Sequence, residues 1–136
     1  MSRRSDLIAA WKTLLETTGY AVGYGERPPS PDESEPTREI IFRLSSVVTR
    51  HGLKKSHEST VRIAAVVDID HVDQPGEATG EMVDAIKAAV ETDDATVGGW
   101  PIDPVEESEY ERAPGSRYGG VEILYRQKWS ETWGHP

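Results

Sequence analysis

The sequence predicts an α+β fold in the order α-β-β-α-β-β: a mostly antiparallel four-stranded sheet with two helices packed on one face. Three observations predict it. Two segments carry a single apolar stripe at helical spacing, four segments alternate apolar and polar residues with period two, and each helix precedes a pair of strands.

The first helix is expected over Ser5 to Thr18, where Leu7, Ile8, Trp11, Leu14 and Leu15 recur on one face. Ser5 or Asp6 can cap its start and Gly19 ends it. Tyr20 to Thr37 reads as a long loop, because Pro28, Pro29, Pro31 and Pro36 oppose both helix and central strand. Glu39 to Arg50 then alternates, with Ile40, Phe42, Leu44 and Val48 on one side and Arg43, Ser45 and Thr49 on the other. Thr60 to Asp70 places Val61, Ile63, Ala65, Val67 and Ile69 opposite Arg62, Asp68 and Asp70. The short connector HGLKKSH makes these two an antiparallel hairpin.

Pro75 to Thr92 is the second helix, with Met82, Val83, Ile86, Ala89 and Val90 as its stripe and Asp73 or Thr79 as its cap. Ala95 to Pro104, with two glycines and two prolines, reads as irregular. A closing hairpin follows: an acidic strand from Val105 to Ala113, a turn at Pro114-Gly115-Ser116, and a strand from Gly120 to Trp129. In that last strand Val121, Ile123, Tyr125 and Trp129 share a face. The sheet face away from the helices is expected to carry Arg43, Arg62, Asp68, Glu122, Arg126 and Lys128, either solvated or meeting partners. The 136 residues make one domain, with 20–37 as a proline-rich loop and 130–136 as a flexible tail.

Composition narrows the function classes. The formal charge is −9, from 24 acids against 15 bases, which argues against a protein that reads nucleic-acid sequence through a basic face. With no cysteine there is neither a disulfide framework nor a thiolate metal site. No apolar run is long enough to span a bilayer, and MSRRSD lacks the apolar stretch of a signal peptide, so no membrane role is expected.

Four groupings could carry chemistry. Asp68, Asp70, His71 and Asp73 form an oxygen-rich cluster able to hold a hard cation, although the further ligands and glycine of a calcium loop are missing. A strand end running into a polar turn explains them better. His51 and His57 flank the first hairpin loop, but two histidines are too few for zinc. Glu106, Glu107, Glu109 and Glu111 crowd one strand; paired carboxylates can cleave glycosides, yet here they fall on both faces of a short strand. They suit a charged edge that discourages indiscriminate strand pairing. Arg50, Lys54 and Lys55 cluster at a hairpin tip, ready to meet acids of a neighbour. Trp129 and Trp133 near the chain end read as apolar surface for another subunit.

The stretches IIFRLSSVVTR with VRIAAVVDID, and the closing ESEYERAPGSRYGGVEILYRQKW, sit in an order and size that resemble the tail terminator (tail completion) proteins of long-tailed bacteriophages, the lambda-like minor tail protein class. The proline-rich 20–37 stretch and the tail after Trp129 depart from that pattern. The resemblance implies a non-enzymatic virion protein with no cofactor. It implies a homo-oligomeric ring, typically a hexamer, that ends growth of the tail tube at its head-proximal end and offers a surface to the head connector. Assembly would occur in the host cytoplasm, and DNA would pass through the lumen without specific binding. Expected interface residues are Arg50, Lys54, Lys55, Glu107, Glu109, Glu111, Arg112, Arg126 and Trp129. The alternatives are a small metal-dependent enzyme using Asp68, Asp70 and Asp73, and a monomeric adaptor domain that binds a protein partner.

Overall fold

The computed structural model describes residues 4–25, 38–69, 74–92, 95–109 and 118–132. The elements are α1 (Arg4–Glu16), β1 (Ala21–Tyr24), β2 (Arg38–His51), β3 (Lys54–Asp68), α2 (Pro75–Val90), β4 (Thr96–Val97), β5 (Trp100–Glu109) and β6 (Tyr118–Thr132). They form one six-stranded sheet in the order β1-β2-β3-β6-β5-β4 that curls into a half-barrel. β1 runs parallel to β2 and every other pairing is antiparallel. The expected four-stranded, mostly antiparallel sheet is therefore corrected to a six-stranded mixed one.

Two strands were hidden for identifiable reasons. β1 lies in the stretch expected to be loop; its four residues precede the prolines, and Val22 and Gly23 align with Ile40 and Ile41. Four residues are too few to show a period. β4 and the start of β5 lie in the stretch read as irregular. There Gly98 and Gly99, with φ of 63° and 85°, form a two-residue turn between Val97 and Trp100. Positive φ at both central positions is the primed geometry that suits a hairpin, so the two glycines mark a tight connection instead of disorder.

The first hairpin is longer than the alternation suggested. Its turn is only Gly52-Leu53, with Gly52 at φ 63°, and the strands zip from Arg38↔Val67 to His51↔Lys54. β6 pairs with β3 along its whole length, from Lys54↔Thr132 to Asp68↔Tyr118. The approach is closest at Gly120, where an added Cβ would stand 1.8 Å from the Ala65 carbonyl oxygen. Only a residue without a side chain fits there.

Both helices pack on one face. Leu7, Trp11 and Leu15 of α1 and Met82, Ile86 and Val90 of α2 meet Phe42, Val61, Ile63, Ala65, Ile123 and Tyr125 in one core. α1 ends at Glu16, and a turn through Thr17 and Thr18 leads to Gly19, whose φ of 88° takes the chain away from the helix. α2 starts differently from expectation. Its N-cap is Gln74 in the left-handed region with no side-chain cap, Pro75 supplies the preset first turn, and Thr79 bonds back to the Pro75 and Gly76 carbonyls.

Three polar contacts converge on the buried side chain of Gln127. Gln127 accepts from Trp11 Nε1 at 3.1 Å and donates to the carbonyls of Val97 at 2.9 Å and Trp100 at 3.1 Å. One amide thus ties α1 and the β4–β5 turn to β6. Tyr125 donates to Glu91 at 2.8 Å, and its phenol is pushed far above the usual tyrosine range, first by burial and then by that carboxylate.

Candidate functional site

Beyond Leu44 the sheet leaves its core. Ser45 to His51 contributes no buried residue, and at about 3.3 Å per residue it extends roughly 23 Å. With the facing parts of β3 and β6 this makes a three-stranded blade. Val47, Val48 and Leu53 on it are 73%, 47% and 59% exposed, which is unusual for apolar residues in a small domain. The row that buries Phe42 and Leu44 runs on here through half-buried Ser46 to exposed Val48 and Arg50.

At the blade's root the aromatic residues are sealed. Trp129 is 2% exposed, donates from Nε1 to Ser59 Oγ at 2.8 Å, and stacks on His57 with ring centroids 3.7 Å apart. The expectation that Trp129 offers apolar surface to another subunit is corrected: this chain's own core takes its ring. Trp133 lies outside the described residues. Ser59 also shares a 2.6 Å hydrogen bond with Ser46, so polar contacts close the core where the blade begins.

The other sequence candidates fall as follows. Arg50 and Lys54 are exposed at the tip, Lys55 half-buried beside them. Arg126 lies on the face away from the helices and pairs with Glu58 at 3.3 Å. Glu107 pairs with Lys87 of α2. Glu109 ends β5, while Glu111 and Arg112 lie outside the described residues. So do Asp70, His71 and Asp73; Asp68 is buried at the end of β3. Among the described residues no group of three or more His, Cys, Asp or Glu is placed to hold a metal. His57 aligns with Val48, so His51, three residues on, points to the opposite face and the two cannot share a ligand.

The face away from the helices is only partly as expected. Arg43, Arg62, Arg126 and Lys128 are exposed, and Arg62 pairs with Glu122 at 3.1 Å. At the other end, however, Ala64, Val66, Asp68 and Leu124 are buried. An open depression of about 440 Å³ lies along the blade, lined by Val47, His57, Glu58, Trp100 and Lys128 among others. A second, of about 570 Å³, follows α1 beside Thr96 and Val97. The first also carries the hydroxyls of Thr49, Ser56 and Ser130 on its wall, and the second carries Asp6 with Thr13, Thr17 and Thr96. Among the described residues no helix is long and apolar enough to cross a membrane.

What sequence reasoning missed is the blade itself. Its signal was weak: apolar and polar residues do not alternate in VVTRHGLKKSH, but the stretch holds no proline and Gly52 is its only glycine.

Comparison with known proteins gives fold-level likeness. No protein-family model and no curated protein sequence matches the chain. Solved structures do. One is a chain of a structure described as the virion of the native gene transfer agent (GTA) particle. It is 13% identical, with 90% of this chain and 93% of that one covered and a TM-score of 0.62. Another solved chain is 14% identical, with 94% and 98% covered and a TM-score of 0.56. At such identities the likeness is one of fold, spanning nearly the whole of each chain.

Proposed function

We propose that this protein is a structural component of a phage-like virion. Copies of it form a ring on the head-proximal end of the tail tube, as in the tail terminators its sequence pattern resembles, six to a ring in that class. The ring stops tube growth and presents a surface to the head connector, while DNA passes through its lumen. The observation that carries this reading is the near full-length likeness to a chain of the gene transfer agent virion. The blade supports it physically: it adds exposed apolar surface and cations at Arg50 and Lys54 without enclosing any cavity. A ring is a closed heterologous assembly, in which one surface of a copy grips a different surface of the next.

The test is to let a tail-tube protein polymerise with and without this chain and image the products. Short tubes with a ring at one end are expected. Tubes of unchanged length with bare ends would refute the reading. Reversing charge with Lys54→Glu and Lys55→Glu is expected to abolish capping while leaving the fold intact.

A further inference from the structure

Two margins of the sheet, on opposite sides, have no strand neighbour among the described residues: β2 beyond Leu44 and β5 beyond Ile102. The backbone bonds show which residues point outward. On β2, Phe42 accepts from Gly25 N at 2.8 Å, while the Leu44 N–H and C=O are taken by Tyr24 Oη. Even-numbered residues therefore face away from β3, and Ser46 and Val48 continue that row. On β5, Ile102 N donates outward to Ala95 O at 3.0 Å. The bulge between Pro104 and Glu106 then shifts the alternation, so Glu107 and Glu109 face away from β6.

From these edges we infer that the distal edge of β2 in one copy adds as an antiparallel strand to the outer edge of β5 in the next, with Val48 opposite Glu107 and Thr49 opposite Glu106. The inference rests on the reading of the protein as self-assembling. It is carried by direction, register and charge together.

Direction comes first. β2, β3, β6 and β5 are successively antiparallel, so β5 runs opposite to β2. Rotation about a ring axis preserves strand direction, and the join between copies is then antiparallel like the rest of the sheet. Register follows from the occupied ends. β1 and Tyr24 cover β2 through Leu44, and β4 with Ala95 covers β5 through Ile102. Tracing rungs across the sheet, Glu107 stands level with Phe42 of its own copy. Bringing Val48 opposite Glu107 needs an offset of about six residues, roughly 20 Å, across four strands spanning about 19 Å. Strands inclined about 45° to the ring axis absorb that offset, which is near the tilt usual in closed barrels.

Charge selects the pairing. Arg43 and Arg50 oppose β2 pairing with itself, and Asp103, Glu106 and Glu107 oppose β5 pairing with itself. Joined to each other, Arg50 lies diagonal to Glu107, and His51 and Lys54 come level with Asp103. Pro104 costs one donor in the new ladder, opposite Arg50. The exposed Val47 would lie beside Ser108 and Glu106, closing the outer face of the join.

The experiment uses the natural absence of cysteine. A chain carrying both Thr49→Cys and Glu106→Cys, oxidised at high concentration or on tube ends, is expected to give a ladder of covalent oligomers ending at the ring number. Mixing the two single variants is expected to stop at dimers. Val48→Pro removes one outward N–H at an edge where proline is tolerated, and is expected to lower assembly at least tenfold with an unchanged circular dichroism spectrum. Thr49→Cys homodimers forming as readily as the mixed pair would overturn the inference. So would rings that form without the cross-link and ignore Val48→Pro, leaving the ring reading intact. A wild-type chain that stays monomeric both free and with tube ends would overturn both.

Discussion

Replacing Gln127 with leucine tests whether one amide holds the two sides of this fold together. Gln127 is fully buried, and its three hydrogen bonds reach Trp11 on α1 and the backbone of Val97 and Trp100 on either side of the glycine turn. Leucine of similar size keeps the volume but leaves an indole N–H and the Val97 and Trp100 carbonyls short of a donor or acceptor. Each buried polar group so deprived costs about 1–3 kcal/mol, and the added apolar contact returns about 1 kcal/mol, for a net loss near 3 kcal/mol. At a urea dependence of about 1.5 kcal/mol/M this lowers the midpoint of unfolding by about 2 M. The assay is equilibrium urea unfolding followed by tryptophan fluorescence and circular dichroism together. A cycle with Trp11→Phe isolates the shared bond: in that background Gln127→Leu is expected to cost about 1–2 kcal/mol less, because no indole N–H remains to be orphaned. A midpoint within about 0.3 M of wild type, or strictly additive losses, would refute the reasoning.

Three further outcomes are expected. Gly120→Ala places a methyl group against the Ala65 carbonyl oxygen and is expected to cost about 3 kcal/mol or to prevent folding, read by soluble yield and thermal melting. Burial and the Glu91 hydrogen bond raise the folded-state pKa of Tyr125 above its unfolded value, so the stability linked to its neutral phenol is present below about pH 10 and drains away as pH rises further. Tyr125→Phe should flatten that alkaline limb in pH-dependent melts; an unchanged slope would count against it. Val47→Asp, on the exposed blade, is expected to alter monomer stability by no more than about 0.5 kcal/mol while weakening self-association in sedimentation velocity.

Local periodicity was enough for some features. Of the expected stripes, Leu7, Trp11 and Leu15 and Met82, Val83, Ile86 and Val90 are buried while Ile8, Leu14 and Ala89 are half-buried, because one-sided burial leaves a repeat that any single segment displays. Ile40, Phe42 and Leu44 likewise face the core with Val61, Ile63 and Ala65. Elements too short to repeat carried no such signal. β1 is a strand through its pairing along β2, and β4 through the fold-back at Gly98-Gly99. The site was less legible still. Trp129 looked like surface because its position near the chain end says nothing of β3, which brings Ser59 and His57 to it from some seventy residues away. The open margins of β2 and β5 exist only once the strand order is known. The chain alone therefore determined which side of each helix turns inward, since that depends on the nearest few neighbours. The tertiary structure decided how many strands line up and which edges lack a strand neighbour among the described residues, since those depend on contacts between residues far apart in the chain.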